Sequence, residues 1–310
     1  MPEREAAVVN AAMRLDQFLV QTWPGLDRQL VRQMIASGGV FVNGQPATKA
    51  GQYLATNDEV AALVDVAEPA ENTPLLSSLP LSVLYEDEVV LVVDKLAGVP
   101  MHPTRYAPQG TLAQQLAELY PHLVHVGGVD RGGLVMRIEP EVSGAVLVAK
   151  DEETYRALQR LVKHDRVECV YSILVEGRLT GEDVIDQPIG NVKRARQRLA
   201  VAREGRPSQT CYRAQRHYKD QEHDYSLLEV RPRSGRLHQI RVHFSWYGFP
   251  LVGDRVYGSR QQPLLPDRIF QHVSVVAFPH PRTGEIVRVE SPLAPELRSV
   301  LRYLTRSKSR

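Results

Sequence analysis

Two charged side chains frame the stretch of this sequence best suited to chemistry. Arg137 and Glu139 stand two residues apart around Ile138, inside RGGLVMRIEPEVSGAVLVAKD, residues 131–151. In an extended segment this spacing puts guanidinium and carboxylate on one face and the isoleucine on the other. A carboxylate kept ionised by a guanidinium can attack a carbon centre or accept a proton. The same spacing also makes an ordinary solvated ion pair, and spacing alone favours that plainer reading. His238 and His243 are a second candidate pair, but no carboxylate converges on their spacing, which argues against a metal. A third is the segment 193–206, KRARQRLAVAREGR, which has no acidic residue before Glu204 and suits phosphate contact or a solvated loop.

The elements around these residues can be read from their periodicity. The apolar run Ala145–Ala149 is short and β-rich, as a buried strand is, and Ser143-Gly144 supplies turn chemistry before it. Val83–Tyr85 and Val89–Val93 read as paired strands around Glu86-Asp87, followed by an amphipathic helix over residues 111–119. Residues 153–163 read as a helix and 170–175 as a strand carrying Tyr171; a lone strand tyrosine is usually a core residue. Ile240, Val242 and Phe244 alternate with Arg241 and His243, which predicts a half-buried strand or edge. Nearer the N-terminus, Leu15, Phe18 and Leu19 recur at helical spacing. Asp27 then suits the N-cap of a helix carrying Leu30, Val31, Met34 and Ile35, and Val40–Val42 runs into an Asn43-Gly44 hairpin turn.

Composition narrows the class without naming it. At 310 residues, 43% hydrophobic and 24% charged, the chain suits a large globular core plus a smaller module. The formal net charge is only +2, yet residues 191–241 hold 13 Lys/Arg against 5 Asp/Glu, an excess of +8 that leaves −6 elsewhere. One basic face is therefore expected. Two cysteines, Cys169 and Cys211, make neither a disulfide framework nor a zinc site, and a reducing cytoplasm is the expected location. No secretory signal opens the chain, and the longest apolar run, Val89–Val93, is too short to cross a bilayer.

The motifs, taken together and in order, resemble those of the RluA/RluD-type RNA pseudouridine synthases. That family's active-site motif reads H-R-L-D-x-x-T-S-G-L-L-V-x-A-K, and residues 136–150 read MRIEPEVSGAVLVAK. The arginine, serine, glycine and strand match, whereas Glu139 stands at the catalytic aspartate, Met136 at the histidine and Val142 at the threonine. Residues 86–103 resemble E-D-x-x-x-x-V-x-K-P-x-G-x-x-x-H-P, with Leu96 for the first proline, and residues 169–177 resemble K-x-Y-x-A-L-V-E-G, with Cys169 for the lysine. Residues 234–254 resemble T-G-R-T-H-Q-I-R-V-H-L followed by G-x-P-I-x-G-D, and residues 268–280 resemble the closing R-x-x-L-H-A-x-x-L strand. The segment from Arg14 to Val66 is similar to the small RNA-binding module of ribosomal small-subunit protein four, although it holds four Lys/Arg against five Asp/Glu.

This resemblance implies an α+β fold: a catalytic domain with a mixed, mostly antiparallel sheet, preceded by a small α/β RNA-binding domain. The expected boundaries are 1–66 for the module, 67–80 for a polar linker, 81–303 for the catalytic domain and 304–310 for a basic tail. The implied catalytic group is Glu139, with Arg137 and Arg236 to hold it ionised and Tyr171 to wall the pocket of a flipped uridine. The implied RNA contacts are Arg14, Arg28, Arg32, Lys95, His102, Lys193, Arg194, Arg196, Arg198, His238, Gln239 and Arg241. The reaction needs no cofactor or metal, and the partner is RNA, rRNA ahead of tRNA, with no membrane and a monomeric chain. Two alternatives stay open on the sequence: a catalytically silent relative that binds or remodels rRNA, and a glycosidic-bond enzyme using Glu139 and Glu141.

Overall fold

The computed structural model describes residues 3–23, 31, 34–35, 39–64, 81–104, 107–128, 130–191, 199–258 and 263–307. The chain divides into two compact units, Met1–Pro74 with Thr104–Pro108, and Leu75–Pro103 with Gln109–Arg310. The expected linker at 67–80 lies outside the described residues, as does the expected cap at Asp27.

In the first unit, β1 (Glu3–Val8), β2 (Met13–Arg14), α1 (Leu15–Thr22), β3 (Val40–Val42), β4 (Gln45–Pro46), β5 (Tyr53–Leu54) and β6 (Glu59–Val64) follow in order. A sheet of order β1-β6-β3-β4 packs on a core that includes Leu15, Phe18, Leu19, Val31, Met34 and Ile35. The helical spacing of those apolar residues is what lets one face supply the core. The β3–β4 hairpin turns at Asn43 (φ 49°) and Gly44 (φ 76°), the two left-handed residues such a turn demands.

The second unit is built on a nine-stranded sheet. Its strands are β7 (Ser82–Glu86), β8 (Val90–Lys95), β9 (Ser143–Ala149), β10 (Glu168–Glu176), β11 (Glu182–Asp186), β14 (Gln209–Lys219), β15 (Asp224–Pro232), β16 (Gln271–Pro279) and β17 (Ile286–Glu290). The order is β11-β14-β15-β10-β16-β9-β8-β7, with β17 on β16; β12 (Ile189–Asn191) and β13 (Leu199–Val201) form a separate ribbon. Every pairing in the large sheet is antiparallel except β9 with β16. The α+β class with a mostly antiparallel sheet is therefore the observed architecture. Val89–Val93 and Ala145–Ala149 are all 1% exposed or less, because β8 and β9 are covered on both faces and so carry unbroken apolar runs. Gly144 (φ +114°) is required where β9 meets β16, since a Cβ there would lie 2.3 Å from the Val273 carbonyl oxygen.

Helix α2 (Leu112–Leu119) starts at Thr111, which makes a reciprocal capping box with Gln114, and α3 (Glu152–Lys163) starts at an Asp151 cap. Two expectations are corrected. Residues 239–246 are not a strand but helix α4 (Gln239–Trp246). Its alternating polar side chains do not face solvent: Gln239, Arg241 and His243 are buried and bonded internally. The expected tail at 304–310 overlaps α5 (Pro295–Ser307), which takes in residues 304–307, while 308–310 lie outside the described residues. Leu297, Val300 and Leu304 fall on one helical face and are buried at 7% exposure or less. No helix among the described residues is long and apolar enough to cross a membrane.

Candidate active site

The segment before β9 is fixed by its backbone. The Val142 amide donates to the Glu139 carbonyl, closing a turn, while Ile138 is buried beneath it. The carbonyl of Pro140 accepts from the Gly98 amide at 2.8 Å and from Lys95 Nζ at 3.0 Å. Lys95 sits at 1% exposure, and its ammonium also donates to the carbonyls of Val99 and Leu96. Burial, with Arg268 nearby, pushes this lysine down to about 7. Lys95 was expected to contact RNA, and that is corrected: it is a buried strut under the Glu139 turn, with its three N–H groups committed to carbonyls.

Glu139 meets its guanidinium from α4. Arg241 Nη1 donates to Glu139 Oε2 at 2.5 Å, while Nε and Nη2 grip the two oxygens of Asp254 at 2.8 and 2.9 Å. Asp254 is fully buried and accepts from the Val256 and Tyr257 amides as well. Burial alone would lower the Arg241 pKa, but Asp254 and Glu139 outweigh it and the value rises. Burial alone would raise that of Asp254; the Arg241 bonds and the two amides win, so it falls below its usual value. Arg241 is therefore permanently charged, shared between two carboxylates, and stacked 5.2 Å over the Tyr257 ring. His238 Nε2 lies 3.6 Å from the same Glu139 oxygen, and its Nδ1 shares a 3.0 Å hydrogen bond with the Tyr257 hydroxyl. His238 is held at φ 52°, a left-handed conformation costly for a side chain with a Cβ and concentrated at functional sites.

These groups open onto a cleft of about 480 Å³ whose lining includes Arg137, Glu139, Tyr171, Arg236, His238 and Gln271. Tyr171 projects from β10, and burial raises its hydroxyl pKa well above the usual range, so it stays neutral. All four expected catalytic residues therefore line one cleft, but not with the expected pairing. Arg137 and Arg236 make no ion pair with Glu139 among the described residues; Arg241, expected to hold RNA, does. Arg236 Nη2 instead reaches the Pro207 carbonyl at 3.5 Å, and its Nε is buried without a partner among the described residues.

The remaining expectations divide further. Gln239 is buried and donates to Gln209 O and Thr210 Oγ1 while accepting from Ser234 and the Arg236 amide, so it shapes the cleft lip rather than meeting RNA. His102 Nδ1 bonds the Asp130 carbonyl, and burial lowers its pKa. Arg14 is held by Asp16 through two bonds of 3.0 and 2.8 Å within the first unit. Arg28, Arg32, Lys193, Arg194, Arg196 and Arg198 lie outside the described residues. Asp254, Tyr257 and Gln271 were missed. The first lies inside a motif already recognised, and its pairing with an arginine 13 residues earlier was the available signal.

A buried arginine bridging two carboxylates, one at the mouth of a cleft beside a neutral tyrosine, equips the second unit for acid–base or nucleophilic work on a bound ring. The pattern of the family described as RNA pseudouridylate synthase matches residues 89–246, and that of the S4 domain matches residues 13–60. The chain belongs to the RNA pseudouridylate synthase family. It is 36% identical over 295 residues to a Bacillus subtilis protein named as an uncharacterized RNA pseudouridine synthase, covering 95% of each chain. It is 30% identical over 296 residues to ribosomal large subunit pseudouridine synthase D of Vibrio parahaemolyticus, covering 92% of this chain and 88% of that one. Among solved structures, human RNA pseudouridylate synthase domain containing 1 superposes with a TM-score of 0.60 at 26% identity, over 71% of this chain and 87% of that one.

Proposed function

We propose that this protein isomerises uridine to pseudouridine in large-subunit ribosomal RNA, with Glu139 as the carboxylate that starts the reaction. The substrate is suggested by the Vibrio relative, a ribosomal large subunit pseudouridine synthase. In the reaction the N1–C1′ bond breaks, the base turns over, and a C5–C1′ bond forms. The C5 proton leaves and N1 ends protonated, so atoms balance without an external reactant. Glu139, as nucleophile or base, acts in its ionised form; Arg241 aims it, and Asp254 fixes Arg241. Tyr171 supplies a neutral ring as the floor for a flipped uracil. Arg137 and Arg236, at the cleft rim, suit the flanking phosphates, and the basic stretch 191–241 together with the S4-like unit extends that contact.

The observation that carries this reading is the Glu139–Arg241–Asp254 chain opening into the Tyr171 cleft of a family member. A silent relative that only binds RNA has no need for a buried arginine to aim a carboxylate into its pocket. On this reading the protein works on ribosomal RNA in the cytoplasm, as a monomer. The test is modified-base mapping of total RNA from cells with and without the gene, and with the gene carrying Glu139→Gln. Loss of a pseudouridine mark from large-subunit rRNA in both altered strains is expected. A lost mark in tRNA would reassign the substrate, and an unchanged map would overturn the reading.

A further inference from the structure

Gln271 is a polar group in the cleft that the mechanism above leaves unused. It stands first in β16 and is only 5% exposed. Its Oε1 is buried with no hydrogen-bond partner among the described residues. A buried amide left unpaired in a folded protein costs stability, which sequences avoid unless a ligand completes it. The register places it well. Across β10 and β16, Tyr171 pairs with Val273 and Ile173 with Gln271, so Gln271 and Tyr171 lie diagonally adjacent on one sheet face. That face lines the cleft beside Glu139. Gln271 also stands where the closing motif R-x-x-L-H-A has leucine, so the amide is a departure of this chain from the quoted pattern.

We infer that Gln271 determines base recognition by hydrogen-bonding the Watson–Crick edge of the uracil that lies on Tyr171. This rests on the pseudouridine synthase reading above. Uracil presents O4, N3–H and O2 in sequence along that edge. The amide oxygen accepts from N3–H while the amide nitrogen donates to O4. Turning the detached base about its N3–C6 axis exchanges O2 with O4 and N1 with C5, and leaves N3–H where it was. One glutamine can therefore hold the same edge before and after the turn. This keeps the free base in register while its carbon end comes round to the sugar.

Single-turnover pseudouridine formation on the target RNA tests this with native protein and Gln271→Met, an apolar residue of similar length. The variant is expected to react about tenfold more slowly at saturating RNA, one hydrogen bond's worth, with RNA affinity within twofold. Its melting temperature without RNA should equal or exceed the native one, because an unpaired amide has been replaced by apolar surface. Target RNA carrying 4-thiouridine, whose sulfur is a poor acceptor, should slow the native protein several-fold and the variant hardly at all. An equally fast variant, or one equally sensitive to 4-thiouridine, overturns the inference while leaving the proposed function standing. So does a variant that melts earlier and, where folded, reacts at the native rate. A native protein that makes no pseudouridine removes both.

Discussion

The polar groups that line the cleft differ in how completely they are partnered. Around Glu139 the described partners are dense: Arg241 donates to Glu139 and to both oxygens of Asp254, Asp254 takes two backbone amides, and Lys95 spends three N–H groups on carbonyls. Elsewhere in the same cleft, Gln271 Oε1 and Arg236 Nε are buried and bonded to nothing among the described residues. A fully partnered group is positioned before the substrate arrives, at the expense of folding energy already committed. An unpartnered one waits to be completed by the substrate. The difference separates groups that must be aimed from groups that must recognise, and each substitution below tests on which side of that line a residue stands.

The largest effect belongs to Arg241. Arg241→Met leaves Asp254 ionised, fully buried and unpaired, which should cost about 3–5 kcal/mol of stability. It should also lower the rate by about a thousandfold, since Glu139 loses its aim. Urea denaturation and single-turnover kinetics read the two losses separately. The Asp254 pair gives the stability an acid edge. The folded pKa lies below the ordinary 3.8, so its stabilisation is present above that value and drains away as pH falls beneath it. Arg241→Met should flatten that part of the stability-against-pH curve.

Glu139→Asp comes next. The shorter arm withdraws the carboxylate from Arg241, to which it now bonds at 2.5 Å, by roughly 1 Å, enough to cost about a hundredfold in rate. Melting should barely change, because Glu139 is part-exposed and the Arg241–Asp254 bonds remain. A faster Glu139→Asp protein would mean that the glutamate is not the residue to which this cleft is adapted.

How much of this was readable beforehand follows from which contacts are local. Strand runs such as Val89–Val93, the Thr111 cap and the Asn43-Gly44 turn are set by residues within a few positions of each other, and the sequence carries them openly. Glu139, Tyr171 and Arg236 were reachable through motif resemblance. The partner of Glu139 was not, because Arg241 lies 102 residues away and nearer arginines offered themselves. The α4 error has a related cause. Alternation of polar and apolar residues implies a strand only when polar means exposed, and Gln239, Arg241 and His243 are polar and buried. Lys95 misled in the same way. A lysine in a motif that resembles an RNA-modifying family reads as an RNA contact until three carbonyls are seen around it.

Lys95→Met tests whether support below the turn counts as aiming. It strips donors from three carbonyls, offset in part by removing a buried charge, so a net cost of about 2 kcal/mol is expected. The rate should fall about tenfold as the Pro140 anchor loosens beside Glu139. Between pH 7 and the ordinary 10.5, folded Lys95 holds fewer protons than unfolded Lys95, so its contribution to stability rises with pH across that window. Lys95→Met should remove this slope, and denaturation midpoints taken at pH 7 and pH 10 would reveal it.

The smallest effect is expected from Arg236, and it marks the division most finely. Its one described side-chain bond, to Pro207 O at 3.5 Å, is too long to hold much, so the folded protein has little to lose from Arg236→Ala. What it can lose is one phosphate contact among many. RNA affinity should drop only a few-fold, while the slope of log affinity against log salt becomes shallower by about 1. At saturating RNA the rate should remain within about twofold of native, because Glu139 takes its orientation from Arg241. A salt titration of binding alongside single-turnover rates supplies both numbers. If Arg236→Ala instead slowed the saturated reaction a hundredfold with binding intact, Arg236 would act on the reacting base. An unpartnered group would then carry chemistry as well as recognition.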